Sequence, residues 1–64
     1  MKRYKIVRWN NFWNGVGEKV ADYKDRNEAI EHFDKLEGVI TLEEQVFRKE
    51  YEEWETLEII KEKK

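Results

Sequence analysis

His32 is the one histidine of the chain, and it lies among carboxylates, with Glu31 beside it and Glu28 four residues before it. A carboxylate that orients an imidazole and stabilises its cation is the smallest unit of general-base chemistry. Here the unit has nothing to activate, because the chain contains no cysteine and no serine. His32 is therefore read as an exposed helix-surface residue. A single histidine without cysteine also argues against a transition-metal site, and neither metal nor cofactor is expected. Acids are plentiful enough for paired-carboxylate glycoside chemistry, yet 64 residues hardly enclose a sugar cleft. The run NGVGEK (Asn14–Lys19) has the glycines of a phosphate loop, but lacks the spacing and the Ser/Thr that such a loop needs. No catalytic residue is expected, and the chain is read as non-enzymatic.

Binding is the remaining class of chemistry. WNNFWNGVG (Trp9–Gly17) places Trp9, Phe12 and Trp13 among asparagines and glycines, where a loop either seals a core or grips a partner. Lys2, Arg3, Lys5 and Arg8 with Tyr4, Trp9, Phe12 and Trp13 have the ingredients of a single-stranded nucleic-acid platform. An isoelectric point near 5.4 argues against that alternative, since such modules are usually basic. A protein partner fits better, because Trp and Tyr are the residues most enriched at interface hot spots. The candidate contact residues are Phe12, Trp13, Phe47, Tyr51 and Trp54 with Glu52, Glu53 and Glu55.

The charge is segregated. Residues 1–8 carry four cations and no acid, whereas residues 43–58 carry seven glutamates against Arg48 and Lys49. One end of the chain can neutralise the other within the fold, or the acidic stretch can face a basic partner. At 64 residues one domain is expected, and a chain of this size buries only about 60% of its unfolded surface. Without disulfides, the nine aromatics are the available bulk, and a homodimer is the other route to stability. No apolar run approaches a membrane span or a signal-peptide core, and the lack of cysteine fits a reducing compartment, so a cytoplasmic location is expected.

The elements that would carry these residues follow from pattern. RYKIVRW (Arg3–Trp9) and EKVADYK (Glu18–Lys24) read as two strands joined by the aromatic loop, where Gly15 and Gly17 would supply positive φ. DRNEAIEHFDKLEG gives a helix over Arg26–Glu37. Asp25 caps it with Glu28 as a capping-box partner, Ala29, Ile30, Phe33 and Leu36 form its apolar stripe, and Gly38 follows as a stop. The last stretch reads as a hairpin turning at Lys49–Glu52, in a register pairing Leu42 with Ile59 and Phe47 with Trp54, although Glu43 then opposes Glu58. The alternative is a second helix beginning at Thr41. The expected fold is α+β, strand-strand-helix-strand-strand, with an antiparallel sheet and one helix on a face. Phe47 and Trp54 then lie on the uncovered face beside a row of glutamates.

The layout of YKIVRWNN, ADYKDRNEAIEHFDKLEG and EYEEWETLEII resembles small accessory proteins encoded by bacteriophages. The resemblance is one of composition and order and rests on no family-specific motif. It implies a chain that binds and inhibits a host protein in the bacterial cytoplasm, such as a component of antiphage defence of the CRISPR type, without catalysis. A Glu/Lys-rich helix is also a habit of artificial scaffolds without function, against which the irregular NNFWNGVG loop speaks.

Overall fold

The computed structural model describes residues 1–10 and 16–64. Four strands and one helix follow in the order β1 (Lys2–Asn10), β2 (Val16–Tyr23), α1 (Arg26–Lys35), β3 (Ile40–Arg48) and β4 (Glu53–Lys63). They form a four-stranded sheet in the order β2-β1-β3-β4, every neighbouring pair antiparallel. Because β2 and β3 each run against β1, they run parallel to each other with β1 between them. Helix α1 makes that crossover and packs on β1, β2 and β3.

The alternation of β1 sorts its residues. Tyr4 and Ile6 face the helix; Arg3, Lys5, Val7 and Trp9 face away. In β3, Ile40 and Leu42 pack under the helix, while Thr41, Glu43, Gln45 and Phe47 take the other side. The core is small: Ile6, Ala29, Phe33, Ile40 and Leu42 are fully or almost fully buried, with Tyr4, Val20, Tyr23, Ile30, Leu36 and Ile60 packed around them. The apolar stripe of α1 thus does what its spacing predicts.

Asp25 caps the helix, but its side chain accepts from the Asn27 amide at 2.8 Å rather than reaching Glu28. The helix ends at Lys35, two residues short of the expected Glu37, with Leu36 already extended. Lys63 replaces a local stop: its ammonium donates to the carbonyls of Phe33, Asp34 and Leu36 at the end of the helix, where backbone acceptors outnumber amide donors. Gly38 lies beyond the end with φ of 111°.

The terminal stretch is a hairpin and not a second helix. Phe47 pairs with Trp54 as expected, and the turn is Lys49–Glu52. The expected pairing of Leu42 with Ile59 is wrong, however: Leu42 pairs with Lys61 and Glu43 with Ile59. Two irregularities account for this, leaving Leu57 and Ile60 as extra residues on β4. The second lets both Ile60 and Lys61 reach the helix side, one against the core and the other to Asp34 at 2.9 Å. A similar shift makes Val20 the extra residue on β2.

Gly17 does not supply positive φ. It lies within β2 opposite Trp9, and a Cβ there would stand 2.7 Å from Val7 and 2.9 Å from the Trp9 ring. Its missing side chain is the space the indole occupies.

Candidate interaction surface

The face opposite the helix carries a row of side-chain hydrogen bonds running across β1, β3 and β4. Trp9 Nε1 donates to Thr41 Oγ1 at 2.9 Å, and Thr41 donates to Glu43 Oε2 at 3.1 Å. From the other end, Arg3 Nε donates to Gln45 Oε1 at 2.8 Å, Gln45 Nε2 to Thr56 Oγ1 at 3.0 Å, and Thr56 to Glu43 Oε1 at 3.1 Å. Indole and guanidinium groups only donate and a carboxylate only accepts, so both arms point at Glu43. Glu43 and Gln45 are only 8% and 5% exposed, and no buried polar side-chain atom among the described residues lacks a partner. This polar row does the work that an apolar layer does on the helix side.

Arg3 ends the row over Trp54, with its guanidinium carbon 4.1 Å from the ring centroid. Phe47 meets the same indole edge-on, with centroids 5.5 Å apart at 65°. Phe47 and Trp54 are therefore half-buried, each with one flank against a neighbour. Sequence reasoning placed them together on the uncovered face, and the structure does so.

Beyond this pair the hairpin projects as the turn Lys49–Glu52. Tyr51 is 72% exposed, and Glu50, Glu52 and Glu53 are exposed around it. Tyr51 and Glu52 donate their amides to the carbonyls of Arg48 and Lys49 at 3.2 and 3.3 Å. Glu52 takes φ of 52°, the left-handed region in which a side chain is strained. Among the described residues Glu50, Glu52, Glu53 and Glu58 make no ion pair. Glu55 differs: it binds the Arg48 guanidinium, and that bond raises the Arg48 pKa further above its ordinary value. Of the predicted contact residues, Tyr51, Glu52 and Glu53 thus stand free at the tip, Phe47 and Trp54 adjoin it, and Glu55 is already engaged. Phe12 and Trp13 lie outside the described residues.

Trp9 lies on the face away from the helix, over Gly17 and against Thr41, and takes no part in the core under α1. Of the four cations of the first strand, two are paired within the fold: Lys2 with Glu44 at 3.3 Å and Arg3 with Asp22 at 3.8 Å.

His32 is also not the exposed surface residue expected. It is half-buried, with Nδ1 2.7 Å from the Tyr23 hydroxyl and the two rings edge-on. Tyr23 is reachable because β2 runs beside α1, a juxtaposition that no local spacing encodes. His32 and Glu43 lie on opposite sides of the sheet and cannot act together. Among the described residues no group of three or more His, Asp or Glu is placed to hold a metal, and no helix is long and apolar enough to cross a membrane.

Comparison with protein-family models, curated proteins and solved structures found no match to this chain.

Proposed function

We propose that this chain is a non-catalytic protein-binding module that docks through the tip of the β3–β4 hairpin. The observation that carries this reading is Tyr51, an aromatic residue exposed at the apex of the hairpin and surrounded by Glu50, Glu52 and Glu53. A tyrosine on a short turn can enter a pocket at small cost in side-chain entropy, and unpaired carboxylates around it steer it to a basic surface. Phe47 and Trp54 continue the contact onto the sheet. The strained backbone at Glu52 adds support, because glycine would relieve it and such outliers cluster at functional sites.

The target class is a basic host protein, and the resemblance to phage accessory proteins points to inhibition of a component such as a CRISPR-type effector. A nucleic-acid platform on the uncovered face is the weaker reading. Arg3 covers one side of Trp54, and its charge is shared with Asp22.

The test is affinity capture of the tagged protein from bacterial lysate, with and without nuclease, beside a Tyr51→Ala variant. One stoichiometric protein, lost with Tyr51→Ala and insensitive to nuclease, is the expected result. Nuclease-sensitive capture, or capture unchanged by Tyr51→Ala, would overturn the reading.

A further inference from the structure

β4 is an outer strand of the sheet with a neighbour on one side only, and it is the longest strand of the fold at 11 residues. Its middle exposes two large apolar side chains, Leu57 at 46% and Ile59 at 53%. An uncovered edge with apolar residues at its centre is a template for strand addition. Edge strands are commonly protected by charge and by bulges, and β4 has both. Its charges, however, are not scattered. Glu53, Glu55 and Glu58 occupy the first part, and Lys61, Lys63 and Lys64 gather at the end with Glu62 as the one acid among them.

We infer that β4 pairs with β4 of a second copy, antiparallel and centred on Glu58, to make one continuous eight-stranded sheet. In that register Leu57 lies opposite the partner's Ile59, and Ile59 opposite the partner's Leu57, so the exposed apolar side chains cover each other. Glu55 comes opposite the partner's Lys61 and Glu53 opposite the partner's Lys63. A parallel arrangement would set acid against acid and base against base, so the charge gradient selects the antiparallel one. Glu55 and Lys61 already hold Arg48 and Asp34 within their own chain, but these are exposed ion pairs and can be shared at small cost. Lys63 keeps its ammonium on the carbonyls at the end of α1, so it offers Glu53 a nearby charge and not a new hydrogen bond. Two elements are adverse: Glu58 meets its own copy at the axis, and the bulges at Leu57 and Ile60 interrupt the strand on either side of it. The two surfaces meet at Glu53 but differ in their apolar contacts, so Tyr51→Ala tests the tip and Ile59→Lys tests the edge, and either proposal can fail without the other.

Sedimentation of the full chain over a concentration series is the first measurement, with a reversible dimer expected. Ile59→Lys should weaken it by about tenfold or more, because each dimer loses the contact twice. Circular dichroism establishes that this exposed substitution leaves the fold in place. Glu58→Gln should tighten the dimer. The chain has no cysteine, so Glu58→Cys tests the register directly. Opposed Cα atoms in an antiparallel pair are about 4.5–5.5 Å apart, within disulfide reach, whereas Glu62→Cys would lie far from its copy. Oxidation should link the first variant and leave the second unlinked. A monomer up to about 1 mM, or equal cross-linking of the two variants, would overturn the inference.

Discussion

Thr56 Oγ1 donates to Glu43 Oε1 across the β3–β4 pair, on the sheet face that carries no helix. Thr41 Oγ1 donates to the other oxygen of the same carboxylate. Glu43 is thus the common acceptor of two hydroxyls, one backed by the donor-only Trp9 indole and the other, through the Gln45 amide, by the donor-only Arg3 guanidinium. Glu43→Gln should destabilise the fold by about 1–2 kcal/mol, and Glu43→Ala, which strands both hydroxyls, by about 2–3 kcal/mol. Urea denaturation with an unchanged slope is the measurement. Loss below about 0.5 kcal/mol for Glu43→Ala would mean that the row is decoration on a sheet held by its other face.

Trp9 and Gly17 should be energetically coupled. Gly17→Ala drives a methyl into Val7 and the indole, at a cost of about 1–3 kcal/mol, and Trp9→Ala forfeits much of a half-buried aromatic contact, about 2–3 kcal/mol. In the double variant the methyl has lost one of its two obstacles, so the sum should fall short of the separate effects. Strict additivity would show that the indole does not sit where Gly17 leaves room.

Glu52→Gly should stabilise the protein by up to about 1 kcal/mol, as relief of left-handed strain outweighs the added chain entropy. For a domain of this size that is a rise in Tm of about 4–8 °C per kcal/mol. Tyr51→Ala should change stability by less than about 0.5 kcal/mol and weaken partner binding by about 2 kcal/mol or more. A Tyr51→Ala variant that melts early would return the tyrosine to a structural role.

Partner association should slow steeply as salt rises, and replacing Glu50, Glu52 and Glu53 together by glutamine should slow it at low salt without loosening the fold. Glu55→Gln should do less to binding, since its carboxylate is held by Arg48. Stopped-flow association at two ionic strengths separates the cases, and equal effects of the triple and single changes would remove the tip from the contact.

Much of this architecture is legible in residue patterns, and the failures have identifiable causes. Ala29, Ile30, Phe33 and Leu36 announce the helix, and Phe47 with Trp54 announces the final hairpin, because both signals are local and repeat at the period of their element. The bulges at Leu57 and Ile60 are not announced. An extra residue in a strand is set by what the helix and β3 require of Ile60 and Lys61, which is tertiary information. The same holds for His32, whose partner Tyr23 arrives from another element. Gly17 misled because a glycine near a turn suggests φ, whereas here its lack of volume matters. The acidic tip was legible as composition; that Glu55 alone is withdrawn from it depends on the cross-strand reach of Arg48.

The place of β1 between β2 and β3 has a kinetic consequence. Each hairpin closes over a short stretch of chain, but the β1–β3 ladder, with Lys2 opposite Val46 and Arg8 opposite Ile40, joins segments that are far apart along it. Among the described residues that ladder is the only sheet contact between the two halves, and hairpins on their own are marginal in water. The entropic expense of closing this long loop therefore falls on one event, and the folding barrier should reside there rather than in either turn. Substitutions at the β1–β3 seam, such as Ile6→Val or Leu42→Ala, should slow refolding, while changes at the Lys49–Glu52 turn should chiefly alter the rate of unfolding.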